Sequence, residues 1–98
     1  MNVIDSTITL HNKTDENYTY GEPYFIEVQK NDFWYKLRPK NELNFILIGY
    51  ILKPDESKEI DIDWSYGYGK LPKGDYRIIK SVFSDNNEIY ISGEFTIN

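Results

Sequence analysis

The chain lacks both cysteine and alanine, and each absence removes a class of structure. Without cysteine it forms no disulfide, carries no thiolate nucleophile and builds no cysteine-based metal site. Alanine is the strongest helix former, so its absence beside thirteen isoleucines argues against helices. Isoleucine, tyrosine and the other β-branched or aromatic residues favour strands. The composition of this 98-residue chain therefore predicts an all-β protein.

Positively charged residues are also scarce, which limits the binding of nucleic acids and anionic membranes. The 11 Lys and Arg residues are scattered among 16 Asp and Glu residues, and the net charge is −5. Phosphate backbones are bound by clustered basic side chains, so we expect no nucleic-acid partner and no binding to an anionic membrane surface. No apolar stretch approaches the ~20 residues of a transmembrane helix, so no membrane span is predicted in this segment. Residues 1–5 lack the basic start and apolar run of a signal peptide.

The strand candidates follow one another with turns between them and no helical pattern. Apolar residues alternate with polar ones in most of these segments, which is typical of half-buried strands. The candidates are Ser6–His11, Tyr24–Lys30, Phe33–Leu37, Phe45–Leu52, Ser57–Trp64, Asp75–Phe83 and a last strand with Ile89, Ile91, Phe95 and Ile97 on its inner face. This pattern predicts an all-β immunoglobulin-like β-sandwich of about seven antiparallel strands in two sheets.

The length fits one such sandwich, which usually has about 100 residues. The first strand begins near residue 1 and the last ends near residue 98. We therefore expect a single immunoglobulin-like domain over residues 1–98 that forms part of a longer protein.

Two segments interrupt the simple alternation. Phe45–Leu52 is a continuous apolar run, typical of a strand buried on both faces or of a short buried helix. Its β-branched and aromatic content favours the strand. Lys80 falls at an inward position of the sixth strand, which predicts a bulge or the end of the strand there.

Tyr76 has the position of a tyrosine corner, at the start of a late strand and two residues before a core position. In this interpretation the Tyr76 hydroxyl bonds a backbone group a few residues upstream and fixes the preceding loop. Contact with a ligand is the alternative role for this side chain.

Aromatic residues make up 16% of the chain, so a binding role for them has to be weighed. We expect Trp34 and Trp64 to pack in the core; if exposed, they would form a sugar platform like that of a carbohydrate-binding module. Tyr18, Tyr20, Tyr66 and Tyr68 fall in the predicted loops 12–20 and 65–73 and are the candidate ligand-contact residues. Alternatively, glycine permits the bend in such a loop and tyrosine only covers it.

No residue pattern points to catalysis, a metal or a cofactor. His11 is the single histidine and no G-x-S-x-G motif is present, so we predict no catalytic residues and no enzyme. Glu59, Asp61 and Asp63 share one face of a predicted strand. Alternate residues there lie about 6.6–7 Å apart, too far to share one calcium ion. We interpret this stripe as a solvated face that discourages edge-to-edge association.

Four segments carry a resemblance to a known family. They are residues 15–24 (DENYTYGEPY), 33–37 (FWYKL), 50–58 (YILKPDESK) and 71–78 (LPKGDYRI). Together they resemble the bacterial immunoglobulin-like domains of low-GC Gram-positive surface proteins and lipoproteins. The resemblance implies a non-catalytic accessory domain of a secreted or cell-surface protein, hence an extracellular or surface-attached location. The family pattern often has glycine where Asp55 stands.

The resemblance leaves several functions open. The domain would act as a spacer or as a module that binds protein or glycan, with loops displayed on a rigid sandwich. One alternative is a small proteinase inhibitor with an immunoglobulin-like fold, because the chain also resembles such bacterial inhibitors in architecture. The other is a carbohydrate-binding module. The sequence does not predict the ligand or the oligomeric state.

Overall fold

Strands make up most of the structure. The computed structural model describes residues 1–4, 7–45, 48–85 and 87–98. The strands in chain order are β1 (Asn2–Ile4), β2 (Thr7–His11), β3 (Tyr18–Tyr20), β4 (Phe25–Lys30), β5 (Phe33–Lys36), β6 (Tyr50–Leu52), β7 (Ser57–Asp61), β8 (Gly74–Ser84) and β9 (Asn87–Ile97), and a one-turn helix, α1 (Ser65–Tyr68), precedes β8. The prediction of an all-β chain is confirmed.

The strands form two antiparallel sheets. The smaller sheet has the order β1-β2-β7. In the six-stranded sheet, β8 pairs with β9 along one edge; along its other edge, residues 76–79 pair with β4 and residues 82–83 pair with β3. β5 and β6 flank β4 and β3. The immunoglobulin-like sandwich with two sheets is confirmed, and the short strands β1 and β3 are additional to the predicted set.

The core forms where the inner faces of the two sheets meet. Alternate residues of β2 and β8 turn inward, so Ile8 and Ile78 are both fully buried. Each such isoleucine stabilises the fold by about 1.5–3 kcal/mol. The other buried apolar residues of this cluster are Leu10, Tyr20, Ile26, Leu52, Ile62, Tyr68, Leu71, Tyr76 and Val82.

The apolar run Phe45–Leu52 does not form the expected buried strand. Among the described residues of this run, the last three form a strand, β6, which pairs with β3 at the edge of the sheet. Ile48 and Ile51 are 45% and 60% exposed. Ile51 points to the outer face of the sheet, because successive side chains of a strand point to opposite faces and Leu52 points inward. Leu52 points into the core. Positions 46 and 47 lie outside the described residues.

Trp34 was expected in the core but lies on the outer face of the larger sheet. It pairs with Gln29, on the same face of the sheet as the pair Glu27–Lys36. The Arg77 guanidinium stacks 4.3 Å above the indole ring. The cause is the two-residue turn at Asn31 and Asp32, with φ of 53° and 69°. This turn sets the register of β5 and sends Trp34 outward.

Lys80 does not interrupt β8, so the predicted bulge or strand end is wrong. The pairing of β8 with β9 runs without a break from Gly74–Ile97 to Ser84–Asn87. Lys80 keeps the inward position that the alternation gives it and is only 2% exposed.

The two ends of the sandwich can be told apart. His11 pairs with Ser57 at one end of the smaller sheet, and Thr7 pairs with Asp61 at the other. We call the first the hairpin end, because the turn between β8 and β9 lies there and the Ser84 hydroxyl donates to Glu16. The second is the helix end, which holds α1.

Asn12 joins three segments at the hairpin end. Its side-chain amide donates to the carbonyls of Glu16 at 2.7 Å and Leu52 at 2.9 Å. Its side-chain oxygen accepts from the Thr14 amide and hydroxyl. Its backbone bonds the turn that carries Asp55. All polar atoms of this buried side chain are therefore satisfied.

We expect Asn12→Ala to lower the free energy of unfolding by about 1–3 kcal/mol, because it leaves the buried Leu52 carbonyl without this donor. Urea denaturation followed by tryptophan fluorescence measures the change. Asn17→Ala, at an exposed position five residues later, is the control and should stay within about 0.5 kcal/mol of the parent chain. Equal effects of the two substitutions would contradict the assigned role of Asn12.

Candidate functional site

The first pair of predicted contact residues lies on a strand and not in a loop. Tyr18 and Tyr20 belong to β3, which pairs with β6 and β8. Tyr20 is buried, and its ring stacks on Tyr50 with centroids 5.2 Å apart. Tyr18 is half-buried against the core. The loop interpretation is therefore wrong for both residues, and contact of either ring with a ligand stays a prediction.

The second pair lies on α1, where a loop was predicted. Tyr66 is 68% exposed, whereas Tyr68 is 4% exposed. The Tyr68 ring lies 6.3 Å from that of Tyr24, and burial raises the pKa of the Tyr68 hydroxyl. Of the four predicted contact residues, Tyr66 is the one most open to solvent. Its contact with a ligand stays a prediction.

Gly67 explains why α1 sits close to the body of the sandwich. A Cβ atom at this position would lie 3.1 Å from Leu43 Cγ and closer still to a Leu43 methyl carbon. Its carbonyl accepts hydrogen bonds from the amides of Lys40 and Asn41. Asp63 shapes the start of the turn, since its Oδ1 accepts from the Ser65 amide and hydroxyl at 3.0 and 2.5 Å. These bonds lower the pKa of the Asp63 carboxyl.

The two predicted contact loops lie at opposite ends of the molecule. The turn after β2 is at the hairpin end, where His11 pairs with Ser57, whereas α1 follows β7 at the helix end. One small partner would not meet both loops at once. Contact of these two loops with a partner stays a prediction.

Tyr76 makes the contact that a tyrosine corner requires. Its hydroxyl donates to the Pro72 carbonyl at 2.6 Å. Its ring stacks on Phe95 at 5.5 Å, and Phe95 stacks on Trp64 at 4.9 Å. Burial raises the pKa of the Tyr76 hydroxyl. This stack connects the start of β8 to β9 and to the segment before α1.

Lys80 is the unusual polar group of the interior. Its ammonium donates to the carbonyls of Gly21 at 2.9 Å and Pro23 at 3.2 Å, and it lies 6.0 Å from the Tyr20 ring centroid. Desolvation lowers the pKa of Lys80, and the charge of Glu22 opposes that shift. Sequence reasoning missed this contact, because nothing near Lys80 in the chain indicates acceptors 57 to 59 residues away.

Two grooves open between the sheets. The hairpin-end groove, about 390 Å³, has an apolar floor of Leu10, Leu52, Val82, Ile89 and Ile91 and a rim that includes His11 and Lys13. The Lys80 groove, about 450 Å³, lies beside β7; tyrosine rings line it, and so do the carboxyl groups of Glu22, Glu59, Asp61 and Asp63. Tyr50 donates to Glu22 at 2.6 Å there, and this bond raises the pKa of the Tyr50 hydroxyl.

Reactive side chains do not converge in either groove. His11 Nδ1 lies 2.5 Å from Ser57 Oγ, but this is an exposed cross-strand pair set by the register of β2 and β7. Within residues 1–4, 7–45, 48–85 and 87–98, no three His, Asp or Glu side chains are arranged to hold a metal ion. In the same ranges, no helix is long and apolar enough to cross a membrane.

The two-sheet fold and the stack of Trp64, Phe95 and Tyr76 define an immunoglobulin-like domain. The sequence profile of the bacterial Ig-like domain family matches residues 2–96. The chain therefore belongs to the bacterial Ig-like domain family. No curated protein and no solved structure shows significant similarity to it.

Tyr76→Phe should lower the free energy of unfolding by about 0.5–1.5 kcal/mol, the net contribution of one buried hydrogen bond. Urea denaturation measures the change. Tyr66→Phe removes an exposed hydroxyl from the same end of the molecule and should leave stability unchanged. An unaltered midpoint in Tyr76→Phe would rule out a stabilising corner.

Lys80 should make stability rise with pH below the ordinary lysine pKa of 10.5. In that window the folded protein holds fewer protons at Lys80 than the unfolded chain does, because burial lowers the folded-state pKa. Raising the pH through the window therefore favours the folded state. Urea midpoints at a series of pH values should rise more in the parent chain than in Lys80→Met, while exposed Lys73→Met follows the parent. Parallel profiles for the parent and Lys80→Met would refute the effect.

Proposed function

We propose that this domain is a non-catalytic spacer in a secreted or cell-surface bacterial protein, where it holds flanking segments apart under tension. The observation that carries the proposal is the position of the first and last residues. Met1 lies beside Leu10 and Asn12 near the hairpin end, whereas Asn98 follows Ile97, which pairs with Gly74 at the helix end. Segments attached to these residues would leave in opposite directions along a molecule that is 38 Å long.

The pairing of the terminal strands suits this role. Tension applied to Asn98 runs along β9, whose eleven residues all pair with β8. The ladder would then be loaded along its length, so that many hydrogen bonds must break together. Tension on Met1 acts likewise along β1, which pairs with β2 over three residues.

Family membership supports the cellular setting. Bacterial immunoglobulin-like domains commonly occur in surface or extracellular proteins, and domains of this family are generally non-catalytic. An antibody against the domain should label intact cells or the culture medium of the source organism. Signal confined to the cytoplasmic fraction would overturn the extracellular assignment.

No specific observation on the described residues favours either alternative function. A carbohydrate-binding module needs a flat row of exposed aromatic rings, but Tyr20 and Tyr68 are buried, so that Tyr66 is the exposed tyrosine of α1. A proteinase inhibitor needs a protruding loop that enters a protease cleft, whereas Asn12 ties the turn at the hairpin end to β6. An NMR titration with cell-wall sugars, followed at Tyr66, tests the first alternative, and incubation with bacterial serine proteases tests the second.

Single-molecule pulling tests the spacer proposal. Because the chain has no cysteine, two cysteines introduced at positions 1 and 98 give unique attachment points for the pulling handles. We expect a high unfolding force and a gain in contour length that approaches ~3.4 Å per residue.

The matched control attaches the handles at positions 73 and 98. These positions lie at the same end of β8 and β9, so pulling opens the ladder one hydrogen bond at a time. This geometry should need a lower force. If positions 1 and 98 gave no greater resistance than the control, the spacer proposal would fail.

A further inference from the structure

β9 is an edge strand of the larger sheet, and β1 of the smaller sheet lies close to it. β9 pairs with β8 through all its residues, 87–97. Within the described parts of the chain, no strand pairs with its other edge. Ile89 and Tyr90 beside this edge are 44% and 65% exposed.

The direction of the backbone groups follows from the ladder. Leu37 donates to the Ile26 carbonyl, so the even-numbered residues of β4 bond β5. Backbone groups of successive residues point to alternate sides. The odd-numbered residues of β4 and β8 therefore bond one another, and the even-numbered residues of β8 bond β9. The residues of β9 whose N–H and C=O groups point away from β8 are Glu88, Tyr90, Ser92, Glu94 and Thr96.

The other described edges are short or guarded by charge. β1 and β6 have three residues each, and β5 has four, including Lys36. β7 carries Lys58, Glu59 and Asp61. β9 has eleven residues with no proline, lysine or arginine and no bulge, and its charged residues are Glu88 and Glu94. Charge, proline and bulges are the usual protection of an edge against pairing with another chain.

We propose that β9 pairs with β9 of a second copy to form a two-fold symmetric dimer, with Ser92 on the symmetry axis. In this antiparallel register all eleven residues pair, which no other register allows. Tyr90 then faces Glu94 of the second copy, and Glu88 faces Thr96. Ile89 faces Phe95, which covers apolar surface that is exposed in the single chain. The contact is self-complementary, as a two-fold interface must be.

Charge supports this register over its neighbour. A shift that places Ile91 on the axis would bring Glu88 opposite Glu94 twice, and like charges directly opposite each other destabilise a sheet. The register centred on Ser92 keeps both glutamates opposite uncharged side chains. The proposal does not depend on the spacer function.

Two substitutions at one exposed position test the register. Tyr90→Lys and Tyr90→Glu both remove the ring, but lysine would attract Glu94 of the second copy and glutamate would repel it. Sedimentation velocity, from micromolar to millimolar protein, should show the parent chain reaching twice its 11.6 kDa mass. We expect Tyr90→Lys to dimerise at least as tightly as the parent and Tyr90→Glu at least about tenfold more weakly. Adding Glu94→Lys to Tyr90→Glu should restore the dimer.

Amide exchange gives an independent readout. Raising the protein concentration should slow exchange at residues 88, 90, 92, 94 and 96, while their odd-numbered neighbours are protected by β8 at all concentrations. In Ser92→Lys, the lysines of the two copies would face each other across the axis and repel, so the variant should abolish the concentration dependence of exchange. Circular dichroism checks that this variant and the Tyr90 variants are folded.

Three results would overturn the proposal. The first is a parent chain that stays monomeric at millimolar concentration. The second is equal dimerisation of Tyr90→Lys and Tyr90→Glu, and the third is concentration-dependent protection outside β9.

Discussion

The alternation of side chains along β8 is the constraint on which the rest of the structure depends. Its even-numbered residues from Tyr76 to Ser84 are buried and face the smaller sheet, and its odd-numbered residues point to the opposite face, where Ile79 is buried as well. Three strands take their register from β8 directly. A slip of one residue would send Ile78 outward and Arg77 into the core. The completely buried Ile78 therefore fixes the position of β9, and with it the place where the chain leaves the sandwich.

Lys80 shows what this constraint costs. Its place in the alternation is inward, and burying an unpaired ammonium would be strongly unfavourable. The strand keeps its geometry because the lysine stem spans the core and delivers the charge to carbonyls of the segment before β4. Sequence reasoning predicted a bulge because it assumed that a charged residue cannot face inward. A charged residue can face inward where hydrogen-bond acceptors from distant parts of the chain lie nearby, and the periodicity of the sequence does not reveal those acceptors.

The fold could be predicted much further than the site. Strand type, the two sheets and the inward stripes of β7 and β8 follow from alternation, which is a local property of the chain. Whether a face of a strand is covered is not a local property: the apolar run from Phe45 predicts burial, yet Ile51 is mostly exposed because it points to the outer face of the sheet. The prediction that the tyrosines lie in contact loops failed for a related reason. Tyr66 and Tyr68 are two residues apart in the same short segment, but the single turn of α1 directs one to solvent and the other to Tyr24.

The direction of β9 connects the two proposals. An antiparallel pairing about Ser92 reverses the second molecule, so that Met1 of one copy would lie towards the same end as Asn98 of the other. Two spacer chains that run the same way from one surface could not pair in this manner without one of them turning back. Chains that extend towards each other could pair directly, and tension along both would load the β9–β9 contact along its strands, in the same sense as the β8–β9 ladder. The geometry that would let this domain bear force as a spacer would thus also let its open edge join oppositely directed chains.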